Sequence, residues 1–227
     1  MSETVKETQE QVPGNRKPSI LKFITQPTEQ FYVMKENPKV LIPLLLVTVV
    51  YAVWAAVFTF LSDFEILMGG ASVDEAALLE GMESFIRMST LITTLFVPIV
   101  GALIGALIMW IAVKLTAGDA TYKQMFSLNV FIMLIGGIGL VLNVLLTTLF
   151  NLNPAQMITG LTVFFDPFEP IYALVSLFEV FSIWAIILTV MGLRIVASMK
   201  PATAWIVTLI ITVGGAFISF LTAGAGM

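Results

Sequence analysis

The chain has 227 residues, of which 58% are hydrophobic and 11% charged, with a formal net charge of −4 and neither Cys nor His. A soluble domain of this size carries about 25% charged residues, so a water-soluble globule is excluded. The missing Cys and His remove disulfides, thiolate nucleophiles, Cys/His zinc sites and imidazole bases; no cofactor is expected, and the acidic balance argues against nucleic acid as a partner.

The apolar runs are continuous. About 20 apolar residues span a bilayer as a helix, whereas an outer-membrane barrel would show short alternating segments. The expected fold is all-α: a polytopic membrane helical bundle of five transmembrane helices, with the N-terminus cytoplasmic and the C-terminus outside.

In chain order, residues 1–18 are polar, without periodicity, and are expected to form a disordered cytoplasmic tail. No signal peptide is read, because the first long apolar run starts near Val40, after a polar tail too long for an n-region. Residues 19–39 mix Ile20, Leu21, Phe23, Ile24, Phe31 and Met34 with charges. Pro27 can open a helix there and Pro38 can close one, so short amphipathic helices on the cytoplasmic surface are expected.

The transmembrane domain is placed at residues 40–221, with span one at 40–61. In the first outer loop Ser72 and Glu75 fit a capping box. Leu78, Leu79, Met82, Phe85 and Ile86 then recur at helical spacing, which predicts an amphipathic helix feeding span two at 91–113. Span two carries Gly101 and Gly105. Thr121 and Gln124 form a cap for span three at 125–150, which carries Gly136, Gly137 and Asn143. In the second outer loop Asn153, Pro154 and Gln156 read as a helix start, with Met157, Ile158 and Leu161 on one face. Asp166, Pro167 and Glu169 read as the start of span four at 171–193, and span five follows at 203–221 with Gly214 and Gly215. Small residues inside spans let helices approach closely; packing within the bundle is favoured, and a homo-oligomer seam is the sharper alternative.

Ten of the eleven Lys and Arg residues lie before span one, after span two or after span four; Arg87 alone lies opposite. The positive-inside rule assigns the ten to the cytoplasm, which fixes the expected orientation and favours an odd number of spans.

Glu179 is the ionisable residue inside a predicted span. A carboxylate at the centre of a span costs about 2.5–3.5 kcal/mol on an insertion scale, so it must find a partner or take up a proton. On a continuous helix Tyr172, Ser176, Glu179 and Ser182 share one face, and Asn143 of span three lies at similar depth. A direct Glu179–Asn143 hydrogen bond is expected, with Tyr172 or a serine in support. Glu179 is then either a structural lock between two helices or a proton- or ligand-sensitive site.

Three stretches carry a family resemblance. PTEQFYVMKENPKV leads into a Pro-containing first span, GDATYKQMFSL opens span three, and FSIWAIILTVMGLRIVASMKPATAW joins spans four and five. With the five spans, this resembles the bacterial branch of the Yip family (Ypt-interacting-protein-like membrane domain) over roughly residues 20–221. The absence of a proline from span three departs from the family pattern. The resemblance implies no catalytic residues. Eukaryotic relatives bind prenylated Rab-type GTPases; bacterial relatives lack such partners, and some accompany ABC-type exporters. The expected function is thus a non-enzymatic adaptor or accessory protein of a larger complex in the bacterial cytoplasmic membrane. Its expected partners are the lipid bilayer and other membrane proteins, ABC-exporter subunits among them. The alternative is a small transporter or channel using Glu179. An intramembrane hydrolase would need a base or metal site that this composition does not supply.

Overall fold

The computed structural model describes residues 18–68 and 80–224. The predicted tail before them, and Ser72, Glu75, Leu78 and Leu79 of the predicted outer helix, lie outside the described residues. Within them the regular structure is helical, with one isolated antiparallel bridge between Gly160 and Glu179. The helices are α1 (Ile20–Thr25), α2 (Pro27–Glu36), α3 (Leu41–Leu61), α4 (Phe64–Leu67), α5 (Glu83–Leu115), α6 (Tyr122–Leu149), α7 (Tyr172–Val175), α8 (Val180–Val196) and α9 (Pro201–Gly224).

Four of these, α3, α5, α6 and α9, are long and apolar enough to cross a bilayer, and α8 is a shorter apolar helix of 17 residues. At 1.5 Å per residue α8 is about 25 Å long, slightly less than a typical hydrocarbon core. The protein buries 56% of the apolar stretch of α6, against 28% for α5 and 17% for α3 and α9. α6 is therefore the central post, and the others present their outer sides to lipid. The outer side of α3, for instance, exposes Ile42, Leu45, Val49 and Val53.

Local chemistry sets several boundaries. Thr121 and Gln124 form a reciprocal capping box at the start of α6: the Gln124 amide donates to the Thr121 hydroxyl, and the Thr121 amide to Gln124 Oε1. Pro27 occupies the first turn of α2, where its missing N–H costs nothing. Pro98 sits inside α5, which continues through it for 33 residues. Neighbouring helices make such a proline tolerable in a membrane.

α1 and α2 do not simply float on a lipid surface. Phe23, Phe31 and Met34 are fully buried. The Phe23 ring meets those of Phe31 and of Phe131 on α6 edge-on, with centroids 5.5 and 5.1 Å apart. Polar bonds fasten the same end: Ser127 Oγ donates to the Lys39 carbonyl at 2.7 Å, and Lys35 Nζ donates to Ser198 Oγ at 2.7 Å. The joint between α5 and α6 and the joint between α8 and α9 also meet there, through Asp119 N–H donating to Ala197 O at 3.0 Å.

At the opposite end Arg87 closes α3. Its guanidinium donates to the carbonyls of Thr59 and Ser62 and is held by Glu83, 2.7 Å from Nε. A cation at a helix C-terminus meets both the unpaired carbonyls and the negative end of the dipole. Arg87→Ala is expected to lower stability by about 1–3 kcal/mol, read as an earlier thermal melt in detergent. Lys at this position would recover only part, because one ammonium cannot reproduce the forked contacts. An unchanged melt for Arg87→Ala would show that the cap contributes nothing.

Candidate functional site

The predicted fourth span is not one helix. α7 ends at Val175, a 3-10 turn covers Ser176–Phe178, and Glu179 is extended, with φ −86° and ψ 146°. α8 starts only at Val180. The expected single face of Tyr172, Ser176, Glu179 and Ser182 is thus broken. The reason is that Glu179 serves as the N-cap of α8, and an N-cap residue has non-helical dihedrals. Its Oε2 accepts the Ser182 amide at 2.8 Å, and its backbone carbonyl accepts the Ile183 amide at 2.9 Å.

The second oxygen of Glu179 is taken by a residue that no local pattern singles out. Thr159 donates its hydroxyl to Glu179 Oε1. The same hydroxyl oxygen accepts from Asn143 Nδ2 at 3.0 Å. Asn143 and Glu179 are therefore joined through Thr159 and not by the direct bond expected. Asn143 Oδ1 accepts the amides of Ile158 and Thr159 at 2.8 and 3.2 Å, and its Nδ2 also reaches the Gly139 carbonyl at 2.9 Å. Both Glu179 and Asn143 are buried, at 3% and 4% exposure. At this depth an unpaired polar atom would cost about 1–3 kcal/mol; here the run of donors and acceptors is filled.

The backbone closes the same contact. Val180 N–H donates to Thr159 O at 3.2 Å, beside the Gly160–Glu179 bridge. A Cβ on Gly160 would lie 2.5 Å from Glu179 Cα and 2.8 Å from the Phe178 carbonyl. The segment 151–165 is correspondingly not the helix that Asn153, Pro154 and Gln156 suggest. It is a turn followed by extended chain, with a 3-10 turn at Leu161–Phe164. Asn143 Oδ1 and the Tyr172 hydroxyl between them take the amides of Met157, Ile158 and Thr159 that a helix would use.

The side chains of the other expected members do not bond the carboxyl group. The Tyr172 hydroxyl accepts the Met157 amide at 2.6 Å, pinning α7 to the loop, and Ser176 Oγ donates to the Ala173 carbonyl at 2.8 Å within its own turn. Ser182 contributes its backbone amide to Glu179. Beside these groups lies an open cleft of about 230 Å³, lined by Tyr51, Gly136, Asn143, Glu179, Ser182 and Ala185 among others.

The span glycines divide into three sets. A Cβ on Gly137 would meet Tyr51 and Val50 of α3 at 2.9 Å, and one on Gly105 would meet Asn129 Nδ2 at 2.6 Å. Asn129 bonds across to the Ala102 carbonyl at 3.1 Å, a polar link between α6 and α5 that composition alone did not mark. Gly101 and Gly136 have looser neighbours, at 3.6 Å from Met133 and 3.9 Å from Tyr51. Gly214 and Gly215 face nothing within 4 Å.

The Yip1 domain family model matches residues 21–222, from α1 to the last turns of α9. The chain belongs to the Yip1 family. It is also similar to "Membrane protein YknW" of Bacillus subtilis (strain 168), 32% identical over 207 residues that cover 87% of each chain. No solved structure matches. The Yip1 match takes in the docked α1 and α2 at one end and the Thr159–Glu179 contact at the other, so both belong to the Yip1 domain of this chain. It is a membrane protein with several apolar helices of spanning type.

Proposed function

We propose that the chain is a non-enzymatic adaptor of the bacterial cytoplasmic membrane, an accessory to a larger membrane complex such as an ABC-type exporter. The observation that carries this reading is the use made of Glu179: both carboxyl oxygens accept hydrogen bonds that tie the loop 151–165 to α6 and α8. A group committed in this way braces a surface, whereas a transport site must let its carboxyl group change partners. Membership of the Yip1 family supports a non-enzymatic role.

The test is purification of the tagged protein from native membranes in mild detergent, with identification of what accompanies it. Exporter subunits in fixed proportion are the expected result. Recovery of the protein alone, together with proteoliposome transport that Glu179→Gln abolishes, would overturn the adaptor reading.

The proposed orientation has its own check, aided by the absence of Cys. Glu169→Cys in the outer loop is expected to react with an impermeant maleimide on intact cells. Lys200→Cys is expected to react only after the membrane is opened; the reverse pattern would invert the topology.

A further inference from the structure

At the basic end of the bundle, α2 lies across the last turn of α8 and the joint to α9, leaving a groove of about 520 Å³. Thr28, Tyr32 and Lys35 of α2 line one side at helical spacing. Arg194 and Ser198 line it from α8 and the joint. Among the described residues lining it, none is acidic.

Both cations have donors to spare. Lys35 Nζ gives one of its three protons to Ser198 Oγ at 2.7 Å, which fixes the ammonium at the groove. Ser198 has φ 54°, and this left-handed turn ends α8 and sets its hydroxyl at the groove. The Arg194 guanidinium carries five donors, and no protein acceptor among the described residues engages them.

The groove is not purely polar. Met191, Ile195, Met199 and Pro201 complete its lining, and the exposed apolar side chains of Ile187 and Ile183 continue from Met191 along α8 at spacings of four residues. Trp205, one turn into α9, is 44% exposed at the same end, where an aromatic belt would lie. A cationic pocket at the end of an apolar helix, opening onto a lipid-facing stripe, suits an amphiphile with an anionic head and acyl tails.

We infer that this groove is a binding site for an anionic phospholipid: Lys35 and Arg194 hold the phosphate, and the acyl chains run along α8 past Met191, Ile187 and Ile183. Arg presents a planar fork to phosphate oxygens and Lys adds a point charge. Basic pockets between membrane helices recognise headgroups in this way. The apolar stripe selects a lipid over free phosphate.

The test uses the full-length protein in a neutral detergent, with phosphatidylglycerol and phosphatidylcholine as competing probes and native mass spectrometry as the readout. Phosphatidylglycerol is expected to be retained preferentially. Each basic group near an anionic headgroup contributes about fivefold, so Lys35→Gln with Arg194→Gln should reduce retention roughly 30-fold. Lys114→Gln with Lys123→Gln, at the same end but outside the groove, should change it little. Equal loss from both pairs, or equal retention of the two lipids, would overturn the site.

A second measurement needs no variant. In the unaltered chain, amine labelling of Lys35 should fall several-fold in phosphatidylglycerol relative to phosphatidylcholine, while Lys114 labels equally in both. Protection of Lys35 by millimolar inorganic phosphate to the same degree would overturn the lipid assignment. Indifference of Lys35 to all three probes would overturn the site itself.

Discussion

Glu179→Ala is expected to destabilise the detergent-solubilised protein by about 1–3 kcal/mol, through a lost helix cap and weaker pairing of a buried hydroxyl. The Ser182 amide at the start of α8 loses its acceptor, and Thr159 Oγ1 keeps only Asn143 Oδ1, at 3.2 Å, to donate to. Glu179→Gln keeps one carbonyl oxygen and a comparable shape, so it should cost less than about 1.5 kcal/mol. Thr159→Val, which removes only the hydroxyl, should fall between the two. Denaturant or SDS titration followed by tryptophan fluorescence reads all three. A wild-type transition for Glu179→Ala would end the idea that this carboxyl group is a brace, and would move attention to exchange of ligands in the adjoining cleft.

Gly160→Ala should be nearly as damaging, for a different reason. Gly160 has φ −160° and ψ −164°, an extended conformation open to any residue, so the cost does not come from the dihedrals. It comes from a Cβ placed 2.5 Å from Glu179 Cα and 2.8 Å from the Phe178 carbonyl, both on the backbone of the facing segment. Neither can rotate away as a side-chain tip would. Overpacking of this kind costs typically 1–3 kcal/mol, and here it would push residues 159–160 off the cap of α8. Limited proteolysis within 151–165 should speed up several-fold, alongside an earlier melt. The two changes act on one contact, so Glu179→Ala with Gly160→Ala should cost clearly less than their sum. Full additivity would mean that loop and cap are independent.

The all-helical bundle was legible in the apolar runs because spanning helices need long, uninterrupted hydrophobic segments. The start of α6 was legible in Thr121 and Gln124, a cap written within four consecutive residues. The interruption before α8 was not. Leu174, Val175, Leu177 and Phe178 read as helix interior by hydropathy, although Ser176–Phe178 form a 3-10 turn and Glu179 is extended. What breaks the run is Thr159 and Gly160, brought to Glu179 from 20 and 19 positions upstream; no local period encodes such a meeting. Depth along the helix was enough to suggest Asn143 and Glu179 as neighbours, but not the hydroxyl standing between them. α1 and α2 show the same limit. Their amphipathic pattern was visible in Phe23, Phe31 and Met34, whereas the choice between lipid and protein for the apolar face depends on α6 and α8, far along the chain.

That choice has a consequence for biosynthesis. Lys35 and Ser198, which touch in the finished protein, are separated by 163 positions. At about 5–20 residues per second, the ribosome takes roughly 10–30 s to travel between them. α1 and α2 are therefore made well before α8, which completes their pocket, and α9 is still to come when Ser198 appears. Until then Phe23 and Phe31 face a wall that lacks its α8 side.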